Sequence, residues 1–164
     1  MIYFKWWFMY SNELICNILI YINKNISNQI TINDLEKEFY YNRYYIMKLF
    51  KNELNITIIN YINSIKIFNS ILDIKNYNYS IDFISFRNGF NSIQYFSETF
   101  KKIIGFKPST VKAFFKNQNI LSEKESDIIN NNIINLYEIS MLSNKYLSRR
   151  KPKVLPTKKL SIFK

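Results

Sequence analysis

Histidine is absent from the 164 residues, and cysteine occurs once, at Cys16. Without histidine there is no Ser-His or Cys-His catalytic centre and no histidine-bound zinc within the chain. One cysteine excludes an internal disulfide framework and suits a reducing compartment, so a cytoplasmic location is expected. Cys16 falls in an apolar run, where a core residue is expected rather than a nucleophile. Glycine occurs twice and proline three times. There is no glycine-rich phosphate loop and no cluster of carboxylates, so an enzyme is not expected and no cofactor or metal is implied. No apolar run reaches the roughly 18–20 residues a membrane span needs. The first ten residues, MIYFKWWFMY, are apolar but short. They lack the basic start and small-residue cleavage site of a signal peptide.

Ile, Asn, Lys and Tyr are heavily used, a bias of A+T-rich coding that says little about function. Hydrophobic content of 48% and aromatic content of 18% suffice for a core. The length suits one domain of roughly 100–150 residues plus tails. The net charge of +11 implies an anionic partner, nucleic acid first and anionic membrane second.

The most informative stretch is Gly89 to Pro108, GFNSIQYFSETFKKIIGFKP. Ser92 is a good N-cap. Phe96, Phe100, Ile103 and Ile104 follow at spacings of three and four, the signature of one apolar helix face. Gln94, Tyr95, Glu98, Lys101 and Lys102 occupy the opposite face. Gly105 suits a left-handed stop, and Pro108 suits the first turn of the next helix.

Upstream, residues 1–12 are an apolar segment expected to form a strand or irregular structure on the domain, to remain from a lost upstream domain, or to serve as a sticky contact for a partner. Glu13 to Asn23 reads as a helix with Leu14, Ile18, Tyr21 and Ile22 inward. Asn33 is expected to cap a short helix from Asp34 to Phe39. After a turn at Tyr40 to Asn42, Asn42 caps a helix from Arg43 to Leu54. Ile46, Leu49 and Phe50 face inward there, and Tyr44, Met47, Lys48 and Lys51 outward. Helix, short turn, amphipathic helix with a basic face is a helix-turn-helix reading. Asn55 suits a left-handed stop. Thr57 caps a long helix to about Ile74, with Ile58, Tyr61, Ile62, Ile65 and Ile71 as its stripe. Residues 75–80 form a loop ending in the cap Ser80. A helix at Ile81 to Asn88, the turn at Gly89, the helix Ile93 to Ile104, and Pro108 to Phe115 complete a second unit like the first.

These residues resemble the AraC/XylS family of bacterial transcription regulators. Gly89, Phe90, Ser92, Phe96, Phe100, Lys101, Gly105 and Pro108 match its C-terminal signature, and both glycines of the chain land on signature positions. The resemblance covers roughly residues 14–116. Its first half rests on Ile30, Thr31, Asp34, Leu35, Leu49, Phe50, Lys51, Tyr61, Ile62 and Ile67. It implies an all-α fold of two helix-turn-helix subdomains joined by a long linker helix, spanning residues 13–116. Departures are Glu36 for alanine, Tyr40 for glycine or a small residue, Lys66 for arginine, Asp73 for leucine and Ser85 for alanine. Val111 and Lys112 replace a closing tyrosine-arginine pair.

The resemblance also implies function: each outward helix enters a major groove, and two such grooves on one face of DNA lie about 34 Å apart. Tyr44, Met47 and Lys48, then Ile93, Gln94, Tyr95 and Glu98, fall at base-reading positions. Gln94 can pair with adenine, Lys48 with guanine and Glu98 with cytosine. Tyr44, Tyr95, Met47 and Ile93 can touch thymine methyls; partial burial in the core is the alternative for Met47 and Ile93. Arg43, Lys51, Lys101, Lys102 and Lys112 are phosphate-contact candidates. Only about a dozen residues precede the domain, too few for a barrel-like sensor, so no small-molecule effector is implied. The expected function is sequence-specific transcription regulation on double-stranded DNA, activation being the more usual sign, with RNA polymerase as a further partner. The rivals are a degraded relative binding DNA without specificity, and a basic protein on an anionic membrane surface.

Residues 117–144 lie outside the resemblance and form a C-terminal extension. Ser126 or Asp127 is expected to cap a helix to about Leu142, with Ile129, Ile133, Leu136, Tyr137 and Ser140 near one face. From residue 145 onward come Lys145, Arg149, Arg150, Lys151, Lys153, Lys158, Lys159 and Lys164 and no acid. With Pro152 and Pro156 this reads as a disordered basic tail, solvated or phosphate-binding.

Overall fold

A computed structural model describes residues 2–116 and 121–148, with side chains from residue 13 onward except at 145 and 147. Among the described residues all regular secondary structure is helical. The helices are α1 (Ile2–Lys24), α2 (Ile32–Phe39), α3 (Arg43–Leu54), α4 (Ile58–Asn76), α5 (Ile81–Arg87), α6 (Ile93–Ile104), α7 (Pro108–Phe115), α8 (Glu123–Ser140) and α9 (Leu142–Ser148).

Two expectations about the ends are corrected. Residues 2–12 are helical, continuous with the expected helix, not a strand or irregular segment. No glycine or proline occurs before residue 25, so nothing interrupts helix propagation. Helix also persists through α9 to Ser148, past the expected start of the tail at 145. The remaining tail residues, from Arg149, lie outside the described residues.

Most helix ends follow the expected chemistry. Side chains of Asn42, Thr57, Ser80 and Ser92 accept backbone N–H groups at the starts of α3 to α6. Pro108 occupies the first turn of α7. Asn55 and Gly105 are left-handed at φ 56° and 88°. Two caps differ. Thr31, not Asn33, starts α2: its hydroxyl accepts from Asp34 N, and its own N–H donates to Asp34 Oδ2 at 2.8 Å. Ser122, not Ser126 or Asp127, starts α8, in the same reciprocal arrangement with Glu125. Both are capping boxes, which satisfy two orphan N–H groups where a lone cap satisfies one.

The buried side chains form two cores. The first joins α1, α2, α3 and the N-terminal half of α4, around Ile15, Ile18, Leu35, Ile46, Phe50 and Tyr61. The second joins the C-terminal half of α4 with α5 to α8, around Ile71, Ile84, Phe96, Phe100, Val111 and Ile129. Helix α4 therefore serves both. So does the C-terminal extension: Leu136 of α8 is in the second core, while Ile139, Leu142 and Tyr146 pack on the first.

Candidate nucleic-acid interface

Helix α3 is set by its first turn. Arg43 N donates to Glu36 Oε1 at 3.2 Å, and Tyr44 N to Asn42 Oδ1 at 2.9 Å. Glu36, in place of the family's alanine, thus places a carboxylate at the positive end of α3. Burying Ile46, Leu49 and Phe50 turns Arg43, Tyr44, Met47, Lys48 and Lys51 to the surface. Tyr44 is 70% exposed, with the Arg43 guanidinium 5.3 Å over its ring. Met47 is exposed rather than drawn into the core. Lys51 Nζ reaches forward to Asn55 O, at the C-cap of α3, at 3.2 Å. Tyr40, in the tight turn, is left-handed at φ 58°. Its side chain is 92% exposed, so the turn closes without a collision, at a backbone cost of about 1 kcal/mol relative to glycine.

Helix α6 buries Phe96, Phe100 and Ile104, with Ile103 half-buried. Gln94, Tyr95, Glu98, Lys101 and Lys102 are exposed, and Ile93 is half-buried at the N-terminal edge. Tyr95 is tied at its tip: Asn63 Nδ2 of α4 donates to its hydroxyl at 3.1 Å, and its ring lies 6.0 Å from Phe90. Lys112 stands apart from the other candidates. It is half-buried, and its ammonium donates to the Tyr79 carbonyl within the second unit.

The two units are locked by polar contacts that periodicity does not show. Lys66 Nζ donates to Asn28 O at 3.0 Å and to Gly89 O at 2.6 Å. Burial lowers its pKa. Gly89 has φ +73°, and a Cβ there would lie 2.8 Å from Ser27 O and 2.9 Å from Asn28 O. Only glycine lets the Gly89 turn approach the first unit so closely. Asp73 accepts from Asn88 Nδ2 at 2.8 Å and pairs with Arg87 Nε at 3.4 Å, joining the linker helix to the turn before α6. Ser85 is buried, and its hydroxyl has no hydrogen-bond partner among the described residues. Glu36, Asn63, Lys66 and Asp73 thus position the outward helices, although Glu36, Lys66 and Asp73 read in sequence only as departures from a pattern.

The sequence profile of a helix-turn-helix domain matches residues 35–113. The uncharacterised HTH-type transcriptional regulator YdiP of Escherichia coli K12 is 34% identical over 114 residues, covering 67% of this chain and 38% of YdiP. The present chain therefore spans well under half of that relative. Two solved structures share the fold. The DNA-binding domain of AdpA, in complex with a target DNA, aligns with a TM-score of 0.60 at 15% identity, covering 66% of this chain and 97% of that one. A transcriptional regulator from Chromobacterium violaceum, described as containing an AraC-type DNA-binding domain, aligns at 0.57 and 19%, with coverages of 66% and 97%. With two helix-turn-helix units on one linker helix, matched in profile and in fold, the chain carries a helix-turn-helix domain with the fold of AraC-type DNA-binding domains.

Proposed function

We propose that the chain is a sequence-specific regulator of transcription that sets α3 and α6 in successive major grooves of double-stranded DNA. The observation that carries this is the pairing of two capped, amphipathic helices, each with an exposed polar and basic face, on units locked together through α4 and Lys66. Tyr44, Met47 and Lys48 on α3, and Gln94, Tyr95 and Glu98 on α6, are the base-reading set, with Ile93 at its edge. Arg43, Lys51, Lys101 and Lys102 hold phosphates. Lys112 is left out of this set because Tyr79 engages its ammonium. Activation through contact with RNA polymerase is the expected mode, since it is the more usual one among the proteins the chain resembles.

The reading of a degraded relative loses its main support at Glu36 and Asp73. Both departures are engaged in specific bonds that order the helix-turn-helix units.

The test is selection from a random duplex library, with the winning site titrated across salt concentrations. One site should be enriched, and Gln94→Ala and Lys48→Ala should weaken it more than they weaken random DNA. Binding that favours no site, and only falls steeply with salt, is the nonspecific phosphate contribution alone and overturns the proposal.

A further inference from the structure

Helices α8 and α9 touch the C-terminal ends of both outward helices. On α8, Asn132 Nδ2 donates to Ile104 O, the last residue of α6, at 3.1 Å. The neighbouring Ile128 methyl stands 3.8 Å from where a Cβ on Gly105 would be. On α9, the Tyr146 hydroxyl donates to Glu53 Oε2, in the last turn of α3, at 3.4 Å. These anchors sit on separate cores. Ile129 and Leu136 are buried in the second, and Leu142 and Tyr146 pack on the first. One nearly continuous helical segment therefore runs from the end of α6 to the end of α3, alongside α4. A linker helix clasped only at its middle, by Lys66, leaves the far ends of the two units free to bend or twist. A second strut with separate anchors removes that freedom.

We propose that α8 and α9 form a bracket that fixes the separation and rotation of α3 and α6, and thereby makes the protein selective for the spacing between its two half-sites on DNA. Asn132 and Tyr146 are its positioning residues. Adding one base pair between half-sites rotates one against the other by about 34° and moves it about 3.4 Å. A rigid pair of helices cannot follow that change without losing base contacts on one side. A pair joined by α4 and the Lys66 clasp, without the bracket, can follow part of it. The inference rests on the two-groove reading above, and the experiment separates the two.

Removing α8 and α9 outright takes the buried Ile129 and Leu136 out of the second core, so truncation is not the informative variant. Inserting Gly-Gly-Ser after the exposed Tyr137 is better. It leaves Ile129 and Leu136 on one core and Leu142 and Tyr146 on the other, and breaks only the rigid connection. Asn132→Ala combined with Tyr146→Phe is the second variant. Binding is measured on the selected site and on versions with one base pair added or removed between half-sites.

The intact protein should lose about tenfold or more on either altered spacing, and both variants should lose several-fold less while binding the original site comparably. An identical spacing penalty in the intact protein and the insertion variant overturns the bracket while leaving the two-groove reading in place. If the intact protein selects no site, the two-groove reading fails instead. A distance measurement then still decides the bracket: spin labels on Asn52→Cys and Ser109→Cys, both exposed, with the buried Cys16 left in place. One narrow distance in the intact protein and a broad distribution after the insertion support the bracket. Equal widths overturn it.

Discussion

The ammonium of Lys66 and the carbonyl oxygen of Gly89 are 2.6 Å apart, across the seam between the two helix-turn-helix units. The same ammonium holds Asn28 O, so one side chain of the linker helix ties the loop before α2 to the turn before α6. Lys66 is only 5% exposed, and its aliphatic stem fills space where its charge is fully engaged.

Gly89→Ala should destabilise strongly, by about 3 kcal/mol, because a positive φ and a steric clash with two carbonyl oxygens act together. Lys66→Met should cost about 2 kcal/mol through the two orphaned carbonyls. Urea unfolding followed by circular dichroism measures both. A Gly89→Ala protein as stable as the parent would mean the turn does not sit against the first unit.

Asp73→Leu, which restores the residue usual in the family, should destabilise rather than stabilise. Asn88 Nδ2 loses its carboxylate partner and Arg87 loses its ion pair, at a cost of about 1–2 kcal/mol. The same unfolding assay reads it. A rise in stability would favour the degraded-relative reading.

Ser85→Ala should raise stability by about 1 kcal/mol, since it removes a buried hydroxyl that has no partner among the described residues and leaves the apolar packing of α5 in place. Thermal unfolding of the two proteins side by side is sufficient.

Acid should weaken the fold partly through its two capping boxes. Hydrogen bonds from Thr31 hold the Asp34 carboxyl below its usual 3.8, and those from Ser122 hold Glu125 below 4.5. A depressed carboxylate pKa contributes stability above the unfolded value, lost as pH falls through the folded one. The urea midpoint should therefore fall as pH drops below about 4.5. Asp34→Asn with Glu125→Gln should flatten that fall and lower stability near neutral pH. An unchanged acid slope in the double variant would remove the boxes from the explanation.

On DNA, two kinds of substitution should separate. Gln94→Ala should relax selectivity at one base pair, at a cost of about 1–3 kcal/mol. Lys101→Ala should weaken all sequences alike and reduce the salt slope by about 1. Comparing salt titrations on the selected site and on random duplex shows which has occurred. Lys112→Ala should act on stability instead, because its ammonium belongs to the Tyr79 carbonyl.

The helices from α3 to α7 were legible because their signals are local. Asn42, Thr57, Ser80 and Ser92 cap within three residues of themselves. The apolar positions repeat at helical spacing, so the exposed faces of α3 and α6 followed from their buried ones. The two missed caps were also legible. Thr31 with Asp34, and Ser122 with Glu125, carry the Ser/Thr-x-x-acid pattern of a capping box, whose two reciprocal bonds outweigh the single bond of a cap nearer the first charge. At residues 2–12 the absence of any helix breaker outweighs the bulky aromatic composition, and the helix propagates through them.

By itself, the sequence determined the order of the helices, their caps and which face of each is apolar, since those depend on neighbours a turn or less away. Only the tertiary structure decided that Lys66 is a buried clasp, that Lys112 is engaged by backbone, and that α8 and α9 reach the ends of both outward helices. Those contacts join residues 38, 33, 28 and 93 positions apart. No local period encodes them, because the partner of each side chain is chosen by how the two cores pack.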